Sequence, residues 1–213
     1  MGALSSWMNT EGPEAESTPR IPPQSPQASA SLTTWSFTPW WATYSQRNAT
    51  WASLKGRGRT LKQVKAGIID TGADLSHAFF KPALLQNPKE LQNGWDDDGD
   101  GFTDDLHGFD FVDEDGVPFD AHGHGTHVAG LVGAHDPSGS LSALAENAQL
   151  IIARSIDAQG QRRSIYLARG IHYLLDRGAR VINYSWGGQQ YSGITRSLRS
   201  RQIPGRYGFC RCG

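Results

Sequence analysis

The stretch HGHGTHVAG, His122–Gly130, places three histidines within six positions, at His122, His124 and His127. Histidine changes charge near neutral pH, and it is both the commonest general base and a common metal ligand. Upstream, IIDTGAD ends a run of apolar residues on Asp70. A buried carboxylate that fixes one imidazole tautomer makes a histidine an effective base. Between these two stretches lies WDDDGDGFTDDLHGFDF, in which Asp96, Asp98 and Asp100 alternate and glycines permit a tight loop. Oxygen ligands at positions one, three and five, followed by a backbone carbonyl at seven (Phe102), build a calcium loop. Position twelve is His107 where such a loop has glutamate, so Asp104 or Asp105 is left to close the site. From Asp96 to Asp120 there are eleven acidic residues and no Lys or Arg. A cation relieves their mutual repulsion; a solvated acidic turn is the other reading.

These groups need rigid elements. VKAGIID (64–70) reads as a short strand ending at Asp70, with TGAD as the turn after it. GTHVAGLVGA reads as a helix of small residues that packs closely on something, and His124 opens it. AQLIIARSID (148–157) is a second strand and ARVINYSW a third. Between them SIYLARGIHYLLDRG is an amphipathic helix. Ser164 is its N-cap, Ile165, Ala168, Ile171, Leu174 and Leu175 form its apolar stripe, and Gly178 ends it. Strand, helix and strand at these lengths form a βαβ unit, so the sheet is parallel and the fold α/β. Functional groups in such sheets lie outside the carboxyl ends of the strands, where Asp70 and Ser185-Trp186-Gly187 both fall.

The chain has 213 residues, 38% hydrophobic, with a formal net charge of -1. That is one domain or one domain with tails, and nothing points to nucleic acid as a partner. No apolar run is long enough to span a membrane. Cys210 and Cys212 do not make a disulfide framework, and they leave the redox compartment open. The amino-terminal residues lack the basic and apolar regions of a secretory signal, so localisation stays unassigned. Residues 1–60 are expected to be poorly ordered: ESTPRIPPQSPQASAS is rich in Pro, Ser and Gln and does not repay its ordering entropy. The tryptophans at 35, 40, 41 and 51 either dock on the domain or never pack. Residues 61–190 form the folded unit. Residues 191–213 are an irregular tail with five arginines after Thr195 and no acid, in which neither the next helix nor the next strand is legible, as a frameshift would produce.

Together, IIDTGADLSH, HGHGTHVAGLVGA and VINYSWGG resemble the subtilisin-like serine proteases, the subtilases, over roughly Val64–Gly188. The resemblance implies a parallel subtilisin-like fold, incomplete at its carboxyl end, and endopeptidase cleavage of protein or peptide substrates. It makes Asp70 the triad aspartate and His124 the general base. It also makes NYSWGG the strand that pairs with the substrate backbone, with Ser185, Trp186 and Gly187 beside the pocket. Members often carry calcium, here placed at Asp96, Asp98, Asp100, the Phe102 carbonyl and Asp105, and members are commonly secreted. His127 is read as packed and hydrogen-bonded, His122 as a loop residue and His77 as structural. The family's nucleophile lies in a Gly-Thr-Ser-Met-Ala-like stretch after the substrate strand, near an oxyanion-hole asparagine, and nothing here matches either. The chain is therefore expected to be inactive alone.

Three rivals use the same letters. HGHGTH has the H-x-H-x-x-H spacing of dinuclear zinc hydrolases, which would make His122, His124 and His127 ligands, although Thr126 stands where that family usually has aspartate. IIDTGAD resembles the aspartic-protease motif, which needs a second copy that the chain lacks. A non-catalytic calcium-binding remnant is the third.

Overall fold

Strands that are apolar on both faces need cover on both faces. VKAGIID and AQLIIAR obtain it by lying side by side inside a parallel sheet. The computed structural model describes residues 46–58, 62–136, 143–145, 147–185 and 209–210, all within the unit Ser36–Gly213. In chain order the elements are helix α1 (Arg47–Gly56), strands β1 (Val64–Asp70) and β2 (Gly108–Asp110), helix α2 (His124–Gly133), strand β3 (Ala148–Arg154), helix α3 (Ser164–Asp176), and strands β4 (Val181–Asn183) and β5 (Phe209–Cys210). The sheet order is β2-β3-β1-β4-β5 and every pairing is parallel. The α/β expectation holds: among the described residues α2 packs on one face of the sheet and α3 on the other.

Alternation along the strands divides the core. Ile69, Ile151 and Ala153 join Phe109, Phe111, Leu167, Ile171, Tyr173 and Leu174 under α3. Ile68, Leu150 and Ile152 join Val128, Ala129 and Phe80 under α2. Each large apolar side chain so covered is worth about 1.5–3 kcal/mol, which is what holds two short helices on the sheet. The buried residues of α2 are Gly125, Val128, Ala129 and Gly133, one stripe of mostly small side chains that lets the helix lie close. At Gly133 an added Cβ would already meet Leu150 at 2.9 Å.

Several sequence expectations are corrected. Ser164 is the first residue of α3, not its cap; Arg163 holds the cap position with extended backbone and no side-chain cap. Ile165 is 60% exposed rather than part of the apolar stripe, because Leu167, Gly170 and Tyr173 complete the buried face. The helix does end at Gly178: with φ +84 it lets its own N–H reach Leu175 O and that of Ala179 reach Leu174 O, both 2.9 Å. Strands β3 and β4 are shorter than the stretches AQLIIARSID and ARVINYSW suggest, ending at Arg154 and Asn183. β2 lies unforeseen inside the acidic stretch. Arg47–Gly56 form a helix within the region read as poorly ordered, and the Trp51 indole N–H donates to Leu144 O at 3.2 Å. In the tail read as irregular, the backbone of Phe209–Cys210 pairs with Ile182–Asn183. Residues 1–45, with Trp35, Trp40 and Trp41, and the tail from 191 to 208 lie outside the described residues. No described helix is long and apolar enough to cross a membrane.

Candidate active site

β1 delivers Asp70 to the carboxyl edge of the sheet, where the residue is 1% exposed. α2 begins at His124 directly above it. The two side chains meet, with His124 Nδ1 2.7 Å from Asp70 Oδ1. An ionised carboxylate only accepts, so Nδ1 carries the proton and donates it. The Thr71 N–H donates to the same oxygen at 2.8 Å. The imidazole is one-third exposed and the carboxylate is buried. This is the asymmetry a base needs, with an anchored carboxylate and a ring that reaches the surface. Once Nδ1 is committed to Asp70, proton traffic falls to Nε2.

The close approach depends on Gly125. A Cβ there would lie 2.2 Å from Gly72 O and 3.1 Å from Asp70 Cβ. A glycine beside the base leaves room for another backbone or a substrate to come close, and here the backbone that does so is the turn at Gly72. Sequence reading missed Asp120, which is 8% exposed and accepts from Thr71, His122, Gly123 and Thr126. An aspartate just before a helix of small residues is a helix-start signal; in the sequence it was hidden as the last member of the acidic run. Burial alone would push the Asp120 carboxyl up. The hydrogen bonds from Thr126, Gly123 and Thr71 outweigh that and hold it below the ordinary carboxylate range.

Ser185 follows β4 at the same sheet edge, and its Oγ accepts from Asn183 Nδ2 at 2.8 Å. Trp186 and Gly187 lie outside the described residues. His122 is exposed in the loop, as read. His127 is exposed on α2, a correction to its reading as packed. Its position faces away from the stripe formed by Gly125, Val128 and Ala129. His77 packs its ring against Phe79 and Phe80 with centroids at 5.0 and 5.4 Å. Among the described residues the three histidines do not gather as metal ligands, because the ligand atoms that do converge are carboxylates elsewhere.

Those carboxylates belong to Glu90, Asp96 and Asp98, with one oxygen of each within 4.8 Å of the others. Asp96 and Asp98 were nominated from the sequence; Glu90 was not, since it lies outside the alternating run. It is 2% exposed and holds the loop by accepting the N–H groups of Asp98 and Asp104 at 3.0 and 3.1 Å. Asp100 and Asp105 are not in that group. Burial, and then the neighbouring charges of Asp105, Asp98 and Asp96, push the Asp100 carboxyl up to about 6. Asp105 is fully buried and accepts from Asn87 at 2.8 Å and from the Tyr173 hydroxyl at 2.7 Å. Phe102 stacks edge-on against Phe109, Phe111 and Tyr173. Both residues fasten the acidic loop to the core under α3.

The sequence model of the subtilase family (peptidase S8) matches residues 62–206. Subtilisin-like protease 1 of Plasmodium falciparum (isolate 3D7) is 35% identical over 133 residues, which are 61% of this chain and 19% of that protein. The major intracellular serine protease of Bacillus subtilis (strain 168) is 32% identical over 128 residues, 60% of this chain and 35% of that one. A crystal structure of a cold-adapted subtilisin-like serine proteinase aligns with TM-score 0.46 and 25% identity, covering 70% of this chain and 45% of that one. The chain thus spans about a fifth and about a third of the length of the two proteases. Over the segment that carries both Asp70 and His124 it matches the family model, and the chain belongs to the subtilase family.

Proposed function

We propose that the chain carries the aspartate–histidine half of a serine endopeptidase's catalytic relay. The 2.7 Å contact between His124 Nδ1 and Asp70 Oδ1 supports this most strongly. Asp70 holds the imidazole in the tautomer that leaves Nε2 to take a proton from a serine hydroxyl. The same nitrogen then passes that proton to the leaving amine, and the carboxylate stabilises the imidazolium in between. The segment Ser185, Trp186 and Gly187 pairs with the substrate backbone in this reading, and the substrate is a protein or peptide. No Gly-Thr-Ser-Met-Ala-like stretch occurs within these 213 residues, so the 213-residue chain alone does not turn over peptides. Acyl transfer needs both an activated serine and donors aimed at the developing oxyanion.

A fluorophosphonate probe on the purified chain is expected to label nothing stoichiometrically. Labelling of Ser185 or Ser192 that disappears in His124→Ala would mean a local serine has been recruited. A chain extended by a family segment bearing Gly-Thr-Ser-Met-Ala is expected to hydrolyse protein substrates. His124→Ala in that background should lower kcat about 10^4-fold or more. Activity unaffected by the substitution defeats the assignment of the base.

We also propose that the acidic loop binds calcium, with Asp96 and Asp98 as ligands, Glu90 added to them, and Asp100, the Phe102 carbonyl and Asp105 as the sequence nominates. The support is the donor chemistry. Three hard carboxylate oxygens converge, which suits calcium better than a soft metal. Backbone N–H groups of Gly99 and Asp100 donate to Asp96 Oδ1 and that of Gly101 donates to Oδ2, so the carboxylate is oriented and Oδ2 keeps a second lone pair for an ion.

A further inference from the structure

Asp70 and His124 come from different elements, 54 residues apart, and something must hold those elements in register. Asp120 touches both. Its Oδ1 accepts from the Thr71 hydroxyl at 2.8 Å and from the His122 and Gly123 N–H groups at 3.0 and 2.8 Å. Its Oδ2 accepts from the Thr126 N–H at 2.8 Å and the Thr126 hydroxyl at 2.6 Å. A residue that only capped α2 would stop at the helix's own amides. Here the two hydroxyls carry the linkage further. Thr71 Oγ1 accepts the Gly125 N–H at 2.9 Å, and Thr126 Oγ1 accepts the Asp74 N–H at 3.0 Å. The turn after β1 and the first turn of α2 are thereby bonded twice through one carboxylate.

Resting on the aspartate–histidine reading above, we infer that Asp120 is a positioning residue, which through Thr71 and Thr126 fixes the distance between Asp70 and His124. It touches neither substrate nor the transferred proton. Every group facing its two oxygens is a donor, so the role needs a carboxylate. An asparagine would turn its own N–H groups toward N–H or O–H donors and lose part of the set.

The test reads the proton between His124 Nδ1 and Asp70 by NMR on the intact chain. A strongly hydrogen-bonded imidazole proton gives a low-field resonance whose exchange with water measures how often the contact opens. Asp70→Asn identifies the resonance by removing it. Asp120→Asn, and separately Thr71→Val, are expected to speed its exchange by about tenfold or more, the scale of one lost hydrogen bond to a charged group. Thr71→Val keeps the contacts of Asp120 to α2, so it carries the test if Asp120→Asn does not fold. Amide resonances of α3, which neither residue touches, report that the rest of the fold is intact. A resonance absent from the wild-type chain, or one that persists in Asp70→Asn, defeats the aspartate–histidine reading itself. A resonance that Asp70→Asn removes but whose exchange is unchanged in Thr71→Val and Asp120→Asn overturns the role of Asp120 alone.

Discussion

At position 125 an alanine has no room to be accommodated. Its Cβ would lie 2.2 Å from Gly72 O, and a backbone oxygen at a strand-end turn cannot swing aside as a side chain can. Either α2 lifts or the turn moves, and both separate His124 from Asp70. Gly125→Ala is therefore expected to cost about 3 kcal/mol, the upper range for overpacking, with a lowered midpoint in urea unfolding. An unchanged midpoint would mean that the turn is softer than its packing implies. Asp120 yields a prediction in pH. Its hydrogen bonds hold the folded carboxyl below the ordinary range, so the folded state binds a proton less readily than the unfolded chain. The stability from this group is fully present above about pH 4, the unfolded value, and is lost as pH falls through the lower folded value. Asp120→Asn should flatten that acid limb in denaturation curves taken between pH 5 and 2, about the range in which carboxylates titrate. A limb of unchanged slope would assign the acid sensitivity to other carboxylates.

The elements were legible where one physical signal dominated. β1 and the core of β3 are apolar on both faces, and α3 keeps its helical period over thirteen residues. Recognition failed where signals overlapped. Phe109 and Phe111 alternate as a strand requires, yet they sit among aspartates that read as loop, and only burial against Phe102 and Tyr173 reveals β2. Ile165 has a core residue's apolar side chain, yet at 3.6 residues per turn it lies on the side of α3 opposite Leu167 and Leu174, while Tyr173, whose hydroxyl reaches Asp105, takes a buried place. The fit between β1 and α3 is tight enough to test. Leu174 is fully buried, and a Cβ on Gly67 would meet its Cδ1 at 2.6 Å. Leu174→Ala should cost about 2–5 kcal/mol through lost burial and a residual cavity. Gly67→Ala alone should also destabilise. In the double variant the new methyl occupies space that the leucine vacated, so the combined loss should be smaller than the sum by about 0.5 kcal/mol or more. Simple additivity would place the two side chains out of contact.

Across the molecule, the site and the acidic loop differ in what could be read from letters alone. Asp70 and His124 each stand in a motif, and the strand end and helix start that carry them follow from local pattern. Their partners Thr71, Asp120 and Gly125 act through contacts of fixed geometry, which no periodicity encodes. The acidic loop announced its charge but not its arrangement. Glu90 converges on Asp96 and Asp98 from outside the alternating run, whereas Asp105 turns to Asn87 and Tyr173. Asp105 and Phe102 join this loop to the core under α3, so a cation that organises the loop would stabilise the whole fold. Ligand binding to the folded state alone adds RT ln(1 + [L]/Kd), about 2.7 kcal/mol at a hundredfold excess over Kd. For a domain of this size each kcal/mol raises Tm by roughly 2–4 °C. Calcium at that excess should therefore raise Tm by about 5–10 °C. Asp98→Ala should abolish the rise, and so should Glu90→Gln, which keeps the side chain's shape but removes its charge. Magnesium, which demands shorter octahedral geometry and sheds water reluctantly, should not reproduce it. A Tm indifferent to calcium, or one that rises equally in Asp98→Ala, would leave the loop as a self-contained network in which Glu90, Asp96 and Asp104 cap backbone N–H groups.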